Sequence, residues 1–599
     1  MIQLLSARFR NFRTLRDVEV PFQRQTVLVG PNNVGKTSVL DGIEYALGIG
    51  RRGYGYGEED ISDGVTPYEG FEIRLTFGPY PEAKFEGDLV PLFNTHIDLV
   101  EGKDRLFVVV TGRQDEEEDV FRTRTRFAKS DEEFDGPLTQ EQRNALGFLV
   151  LPAVREARRE FGDRGGLWAR LGAEAPVSSE ALQKLDEASR KLGNTVVEDV
   201  LGKSTSMKVS SSVANLVSEV LYGEDELASL DFSALPVDPA QAIRQIELRL
   251  ATPEHKDGRR VGDHSVGTQS VAMFGLFGAY ANAVAGRVVA LGIEEPEAHL
   301  HPHASRAVVH HVRDLDAQII ITTHSTAVTD ASDIRSIVRL RRTAAGTVAC
   351  PACKSDLTEL DLGTIEHSVA QVGTDFLFAR TILLTEGESE YLAMPEYARA
   401  LDIDFDVLGV SVVPVHGISF RPFENLLGED GLCIPHVVLF DQDASARYVR
   451  RLVSEGLLEG SADEATARSV AKQANRFWWS AGDFESCVMI GGGTDLYVQA
   501  LKDLYGAQTL SSYAKQTNRR LDEADPGFVH DVVTAGRRSK PVLAHHVARL
   551  SRAAKRPVPA EIEDVIRHVA AMALAEGRLA IAAPVEANGP EAAPLAGND

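Results

Sequence analysis

Short apolar runs alternate with turns over the first 150 residues, which is a spacing typical of strands. Four such runs are IQLLSARFRNF, TVLVG, FEIRLTF and LFVVVTG, and a helix is predicted between them from Thr37 to about Leu47. From about Arg155 to Leu250 the apolar residues follow helical spacing, with polar stretches between the helices. This segment is predicted to be an inserted helical arm. Strands and helices alternate again over residues 265–345.

A second unit with its own pattern begins after Gly373. The run TILLTEG is followed by a helix from Ser389 to about Leu401, then by SVVPVHG, a helix near Glu424, and HVVLFDQD. Strands that alternate with helices indicate a parallel sheet. The last twenty residues are rich in Ala, Pro and Gly, and this composition predicts a disordered tail.

The net charge of the chain limits how it could bind DNA. The chain has 599 residues, 43% of them hydrophobic, and a net charge of −25. A uniformly acidic surface repels phosphates, so any contact with DNA has to be local. Several basic clusters could make such a contact, although for any one of them the simpler interpretation is a solvated surface whose positive charges balance nearby acids. The candidate clusters are Arg8/Arg10/Arg13/Arg16, Arg155/Arg158/Arg159, Arg537/Arg538/Lys540 and Arg549/Arg552/Lys555/Arg556.

Nothing in the chain predicts export or membrane insertion. Four cysteines in a chain of this length exclude a disulfide framework and fit a reducing compartment. The run from Val271 to Ile293 has transmembrane length, but glycines and Asn282 interrupt it. It is better interpreted as a buried helix followed by a buried strand. We therefore expect a cytoplasmic protein with no membrane association.

The motif GPNNVGKT, from Gly30 to Thr37, stands between a strand-like run and a helix, the context in which it predicts a phosphate-binding loop. Lys36 would neutralise the β- and γ-phosphates of a nucleotide, and the Thr37 hydroxyl would bind Mg²⁺. Backbone N–H groups of the loop and of the helix N-terminus would cradle the phosphates. The loop and helix residues concerned are Asn32, Asn33, Gly35 and Ser38.

Acidic and histidine residues follow two further strand-like runs. VVALGI ends in Glu294, a candidate for the Mg²⁺ shell, and Glu295, a candidate for orienting the attacking water. IIITTHS ends in His324, which could hydrogen-bond a γ-phosphate or that water. The histidines of PEAHLHPH could form a metal cluster, but packing in a loop after the acidic strand is the favoured interpretation. They are His299, His301 and His303.

Carboxylates gather after two strands of the second unit. Glu386 follows TILLT, and Glu390 falls in the first helical turn beyond it. Asp441 and Asp443 are predicted to end the strand HVVLF, where residues i and i+2 share a face and could point into one cleft. Clustered carboxylates repel one another unless cations hold them, so Mg²⁺ or Mn²⁺ is expected there. Solvated surface acids are the alternative interpretation.

Together these motifs resemble those of a known family. GPNNVGKT, HSVGTQS, IEEPEAHLHP and TTHS are similar to the Walker A, signature, Walker B with D-loop, and switch-histidine motifs of SMC- and RecF-like ABC ATPases. LLTEGESE and VVLFDQDA are similar to the Toprim metal-binding motifs, and this order resembles the overcoming lysogenization defect (OLD) nucleases, which include the Gabija nuclease. Two departures are SVGTQ in the signature and Glu294 in place of the usual Walker B aspartate.

The resemblance implies further roles. Ser265 and Gly267 would reach the γ-phosphate of a second subunit, so a homodimer is expected, with the arm as an extra dimer contact. Glu485 would be another metal ligand and Lys540 a positive group at the scissile phosphate. ATP with one Mg²⁺ is expected at the first site, and two Mg²⁺ or Mn²⁺ ions at the second. DNA is the expected partner, and a helicase encoded nearby is a candidate one.

The expected fold class is α/β and multidomain, with an ABC-type ATPase domain, an inserted helical dimerisation arm and a Toprim domain with a parallel sheet. The expected divisions are 1–154 and 251–375 for the two ATPase parts, 155–250 for the arm, 376–550 for the Toprim domain, 551–581 for a helical segment and 582–599 for a disordered tail.

The combination of motifs predicts an ATP-regulated, metal-dependent DNA endonuclease in phage defence or DNA repair, acting by two-metal hydrolysis. The alternative from another class is an ATP-switched DNA-binding or assembly protein in which the acids are structural. Primase or topoisomerase activity would rest on the Toprim fold alone, and neither motif offers a tyrosine nucleophile.

Overall fold

This computed structural model describes residues 2–48, 56–80, 84–85, 90–131, 133–153, 179–201, 203, 207, 211, 249–252, 255–283, 288–416, 420–454, 456–460, 462–535 and 538–581. Most of the predicted arm and the whole predicted tail lie outside the described residues. Within the arm, one long helix is described, Ser179–Leu201.

The described residues form nineteen strands. They are β1 Ile2–Phe12, β2 Leu15–Pro21, β3 Gln25–Val29, β4 Phe71–Pro79, β5 Asp98–Val100, β6 Lys103–Gln114, β7 Phe121–Ala128, β8 Phe134–Pro137, β9 Gly147–Leu151, β10 Arg249–Thr252, β11 His255–Arg260, β12 Val288–Glu294, β13 Gln318–Thr322, β14 Ile337–Thr343, β15 Gly346–Pro351, β16 Thr381–Thr385, β17 Val410–Pro414, β18 His436–Phe440 and β19 Arg476–Trp478.

The α-helices pack on and between the sheets. In chain order they are Lys36–Leu47, Val90–Phe93, Gln140–Ala145, Ser179–Leu201, Val266–Ala283, Pro302–Arg313, Thr326–Asp330, Glu359–Val372, Glu388–Ala400, Phe405–Leu408, Arg421–Leu427, Gln442–Ser454, Glu464–Gln473, Phe484–Val488, Thr494–Tyr505, Thr509–Gln516, Pro526–Thr534, Lys540–Ala553 and Ala560–Ile581. The predicted first helix, the helix and strand within Val271–Ile293, and the alternation after Gly373 are all confirmed.

The first half of the chain builds two sheets. An antiparallel sheet has the order β2-β1-β4-β6-β7-β8, with β5 paired to β6. A six-stranded sheet has the order β15-β14-β3-β13-β12-β9, and every pairing in it is parallel except that of β14 with β15. All five residues of β13 are buried, as expected for a parallel strand covered on both faces. This is a mixed α/β arrangement.

The second half builds a four-stranded parallel sheet of order β17-β16-β18-β19. All five residues of β16 are buried, so its apolar run TILLT is a central strand with helices on both sides. β18 and β19 continue the sheet on one side of β16 and β17 on the other. The predicted parallel sheet is therefore confirmed.

One hydrophobic core runs from the six-stranded sheet into the four-stranded sheet. The buried guanidinium of Arg339 on β14 crosses this junction and donates hydrogen bonds to the carbonyl oxygens of Cys433 at 2.9 Å and Ala379 at 3.3 Å. Next along β14, Arg341 forms an ion pair with Glu576 of the last helix. The two sheets are thus joined by packed side chains as well as by the chain itself. Within the described residues, no helix has the length and apolar content needed to cross a membrane.

Candidate functional site

Strand order brings the first set of motifs together. β3, β13 and β12 are consecutive parallel neighbours in the six-stranded sheet, so their carboxyl ends lie at one edge. The loop after β3 carries Gly30 to Gly35, the segment after β13 carries His324, and β12 ends in Glu294. Ligands of open α/β sheets bind at this edge. The predicted residues therefore converge although they are almost 300 positions apart in the chain.

Two glycines fix the path of the loop. Gly30 has φ 147°, and a Cβ there would lie 2.4 Å from the carbonyl oxygen of Leu340. Gly35 has φ 103° and caps the helix Lys36–Leu47, where a Cβ would lie 2.5 Å from the side chain of Leu15. Neither position accepts a side chain without strain. Between them, Asn32 and Asn33 are exposed, and Asn33 has φ 62°.

Lys36 is hydrogen-bonded within the predicted phosphate-binding loop. Its Nζ donates hydrogen bonds to the carbonyl oxygens of Gly30 and Pro31, both at 2.9 Å, and the residue is buried. Burial lowers the pKa of Lys36 to about 8, while the charges of Glu295 and Glu297 oppose that change. A nearby anion would restore the charged form, which is the property required of a phosphate-binding lysine. Beside it, Thr37 is exposed and Ser38 is buried.

Glu294 and Glu295 occupy different environments. Burial raises the pKa of Glu294, whose Oε2 accepts a hydrogen bond from the N–H of Ala153 at 3.3 Å. Glu295 has the positive φ of 40°, and its Oε1 lies 3.9 Å from Nε2 of His324. Burial and the charge of Lys36 lower the pKa of His324, with Glu295 acting in the opposite direction. A neutral imidazole beside a partly exposed carboxylate can orient a water molecule.

Glu297 also lies at this first site, although no motif predicted it. Its Oε1 accepts hydrogen bonds from the Thr323 hydroxyl at 2.8 Å and from the His324 N–H at 3.0 Å. It thereby holds the segment after β13 against the loop after β12. The only available signal was a third acid in IEEPEAH. Of the three histidines predicted to lie in a loop, His299 does so. His301 instead caps the helix Pro302–Arg313, and His303 lies within that helix.

The signature residues begin the helix Val266–Ala283. Ser265 is exposed, and its Oγ accepts a hydrogen bond from the N–H of Thr268 at 3.3 Å, the usual geometry of a helix N-cap. A Cβ at Gly267 would lie 3.2 Å from the carbonyl oxygen of His299. The signature thus packs behind the loop that follows β12 and leaves Ser265 on the surface.

The second set of motifs meets at the carboxyl edge of β16 and β18, which are paired in parallel. Glu386 follows β16, and its Oε2 accepts a hydrogen bond from the backbone N–H of Asp441 at 3.0 Å. Glu390 lies in the first turn of the helix Glu388–Ala400, as predicted. Gly387 precedes this helix in extended conformation, and a Cβ there would lie 3.4 Å from Oε2 of Glu390.

Asp441 and Asp443 do not end a strand, so the predicted placement of these two residues is wrong. β18 ends at Phe440, and the helix Gln442–Ser454 begins one residue after Asp441. Asp443 therefore lies on the first helical turn and is exposed, while Asp441 is half-buried in the connection. The two carboxylates still interact, because the charge of Asp443 is among those that raise the pKa of Asp441.

Burial and mutual repulsion raise the pKa values of two carboxyl groups in this cluster, Glu390 and Asp441. Glu390 is buried, and desolvation followed by the charges of Asp441 and Glu485 raises its pKa to about 8. Its Oε1 accepts a hydrogen bond from Nε1 of Trp479 at 3.4 Å. Burial, then Glu386, Asp483 and Glu485, raise the pKa of Asp441 to about 7. Oδ1 of Asp441 is buried with no hydrogen-bond partner among the described residues.

Glu485 and Lys540 join the cluster from distant segments. Glu485 is buried; its Oε1 accepts a hydrogen bond from the Ser389 hydroxyl at 2.7 Å, and its Oε2 lies 3.3 Å from Nζ of Lys540. The same Nζ lies 3.4 Å from Oδ2 of Asp483. Asp483 in turn contacts Nε2 of His530 at 2.9 Å. Burial acts to raise the pKa of Asp483, but hydrogen bonds from His530 and Ser486 hold this pKa well below its usual range.

The chemistry of these donors suits a hard divalent cation, since every converging ligand atom is a carboxylate oxygen. The orphaned Oδ1 of Asp441 supports that fit, because a buried acceptor without a donor is costly unless a cation approaches it. Across the described part of the chain, however, no three His, Cys, Asp or Glu side chains stand in a ready metal-binding arrangement. Lys540 supplies positive charge to the cluster instead.

Both halves of the chain are similar to known protein families. Residues 26–330 match a family described as AAA domain, putative AbiEii toxin, Type IV TA system, and residues 377–443 match the overcoming lysogenization defect protein-like TOPRIM domain. The OLD nuclease of Thermus scotoductus is 26% identical over 456 residues, which cover 72% of this chain and 81% of that protein. Endonuclease GajA of Bacillus cereus is 20% identical over 468 residues, or 74% of this chain and 76% of that one.

Among solved structures, the C-terminal region of the Xanthomonas campestris OLD protein aligns with 33% of this chain and 98% of its own length, at 24% identity and a TM-score of 0.27. An ATPase domain followed by a Toprim domain implies the use of a nucleotide and a divalent metal in general.

Proposed function

Because the chain belongs to the AAA-domain family and is homologous to the OLD nucleases, we propose that it is an ATP-regulated, divalent-metal-dependent endonuclease that cuts DNA. The observation that carries this proposal is the meeting of Glu386, Glu390, Asp441 and Glu485 around one edge of a parallel sheet. Structural acids would be expected to have ion-pair or hydrogen-bond partners for each buried oxygen, and Asp441 Oδ1 has none among the described residues.

The metal ligands in this proposal are the five acids Glu386, Glu390, Asp441, Asp443 and Glu485. Two bound Mg²⁺ or Mn²⁺ ions would supply an activated water and stabilise the leaving oxygen. Lys540 would then stabilise charge on the scissile phosphate, since its Nζ already reaches into the carboxylate cluster. His530 and Asp483 would hold Lys540 in that position.

The ATPase site would regulate the cut. Lys36 would bind the phosphates of ATP, Thr37 and Glu294 would hold one Mg²⁺, and Glu295 with His324 would orient the attacking water. The exposed position of Ser265 supports a contact of Ser265 and Gly267 with the nucleotide of a second subunit in a homodimer. Asn32, Asn33, Gly35 and Ser38 complete the phosphate loop with their backbone N–H groups.

The proposed substrate is DNA because the matching relatives are named nucleases. The proposed setting is phage defence or DNA repair in the cytoplasm, with a helicase encoded nearby as a candidate partner. The dimerisation arm and the domain divisions given above belong to the same proposal.

A matched pair of variants tests the nuclease assignment. Glu386→Gln removes a proposed ligand at the sheet edge, whereas Glu388→Gln changes an exposed acid two residues away that is not a proposed ligand. With supercoiled plasmid and Mg²⁺ or Mn²⁺, Glu386→Gln should lose cleavage and Glu388→Gln should keep most of it. Equal activity in the two variants would contradict the site.

One observation favours the alternative, an ATP-switched DNA-binding or assembly protein. Lys540, Ser389 and the N–H of Asp441 already satisfy several carboxylate oxygens without a metal. If the purified wild-type protein cuts no DNA with any divalent cation, this alternative replaces the nuclease.

A further inference from the structure

Arginines gather on one face of the antiparallel sheet, although the whole chain carries a net charge of −25. Residues paired directly across antiparallel strands share a face. The pairing therefore places Arg10, Glu72, Thr111 and Arg124 in one row across β1, β4, β6 and β7. A neighbouring row contains Arg8, Arg74 and Arg126, and a third contains Arg113 opposite Arg122.

Acids neutralise this arginine face unevenly. Arg8 pairs with Asp17 of β2 at 2.9 Å, and Arg10 pairs with Glu72 of β4 at 3.3 Å. Arg122, at the β7 end, is paired with Glu118. Within the described residues no carboxylate lies at ion-pair distance from Arg113, Arg124 or Arg126. Unneutralised positive charge is thus concentrated along β6 and β7.

The same face forms a cleft of about 390 Å³. Arg10, Arg113, Arg122, Arg124 and Arg126 line it, with the acids Glu69, Glu72 and Asp115 also present. The guanidinium of Arg126 lies 4.9 Å from the ring centre of Phe134, which is 52% exposed. Stacking on an aromatic ring holds a guanidinium in place while leaving its edge N–H groups available for a ligand.

We propose that this arginine face binds the phosphate backbone of duplex DNA outside the cleavage site, an inference that rests on the proposed function in taking DNA as the partner. Arg122 to Arg126 span about 14 Å of β7, at roughly 3.4 Å per residue. Duplex DNA carries one charge per ~1.7 Å of its axis, so such a span meets several phosphates. A single nucleotide would engage only part of the rows.

Salt dependence of binding gives a direct test. The triple variant Arg113→Ala/Arg124→Ala/Arg126→Ala removes three arginines of this face for which no ion pair is found within the described residues. Fluorescence anisotropy of a labelled 30-base-pair duplex, in EDTA and between about 50 and 200 mM salt, measures affinity without cleavage. Each lost phosphate contact should reduce the slope of log affinity against log salt by about 0.9, so the triple variant should lose about 2 to 3.

Two controls separate this effect from general loss of charge or folding. The variant Arg24→Ala/Arg335→Ala/Arg567→Ala removes three arginines elsewhere, of which Arg24 and Arg567 are exposed and Arg335 is half-buried, and it should keep the wild-type slope. Replacing Arg113, Arg124 and Arg126 by Lys retains the charge and should restore most of the slope. A wild-type slope in the alanine triple variant, a loss equal to that of the control, or a loss seen only with duplex RNA would overturn the proposal.

The DNA-binding test gives a result whether or not the protein cleaves DNA. If the wild-type protein binds DNA through these arginines but never cuts it, the nuclease assignment fails and the arginine face stands. If the wild-type protein cuts DNA and the triple variant binds like the control, the arginine face fails and the nuclease assignment stands.

Discussion

Replacing Asp441 by Asn should stabilise the metal-free protein in a pH-dependent way. Burial and neighbouring acids raise the pKa of Asp441 from 3.8 to about 7, so its ionised form is disfavoured in the folded state. A raised carboxyl pKa costs folding stability as the pH rises from about 4 to about 7 and spares that cost at lower pH. Asn removes the charge while keeping the size of the side chain.

The magnitude follows from the pKa difference. A change from 3.8 to about 7 is worth about 4 kcal/mol above pH 7, at about 1.4 kcal/mol for each tenfold change in the ionisation constant. Asp441 keeps some contact with solvent, so we halve that figure to about 2 kcal/mol. The same calculation gives about 1 kcal/mol at pH 5. For a domain of ~150–250 residues, the gain at pH 8 corresponds to an increase in Tm of about 4–8 °C.

Scanning calorimetry of the metal-free protein at pH 5 and pH 8 measures this gain. Asp443→Asn is the matched control, because Asp443 is exposed on the helix that follows and its replacement should change Tm by less than about 1 °C. Saturating Mg²⁺ should stabilise the wild-type protein more than Asp441→Asn at pH 8, since metal binding needs the ionised carboxylate. A Tm for Asp441→Asn at pH 8 that is equal to or below that of the wild-type protein, or the same gain at both pH values, would show that the charge on Asp441 does not destabilise the fold.

Three further outcomes are expected. Lys36→Ala should abolish binding of a fluorescent ATP analogue, because it removes phosphate neutralisation; retained affinity would contradict the loop assignment. Glu295→Gln should bind ATP but hydrolyse it slowly, and normal phosphate release would overturn its role in orienting water. Lys540→Ala should slow plasmid cleavage by about 10- to 100-fold without lowering metal affinity measured by calorimetry, and loss of metal binding would show that Lys540 instead maintains the carboxylate cluster.

The main architecture could be predicted because buried parallel strands have continuous apolar runs. TILLT and HVVLF became adjacent strands β16 and β18, and the acids that follow them met at one edge. The error at Asp443 arose because DQDA does not reveal where a strand ends; the helix begins at Gln442. Nothing local could pair His530 with Asp483, which is 47 residues away, or turn Glu297 back onto the His324 N–H. Such contacts depend on tertiary packing.

The most direct test measures two activities on the same two variants. We propose that DNA cleavage and ATP hydrolysis use separate groups of side chains, at the edges of two different sheets. We expect that Asp441→Ala loses metal-dependent plasmid cleavage while still hydrolysing ATP, and that Glu295→Gln loses rapid ATP hydrolysis while still binding metal at the carboxylate cluster. Cleavage by Asp441→Ala at the wild-type rate, under conditions where EDTA stops the wild-type protein, would show that the carboxylate cluster does not cut DNA.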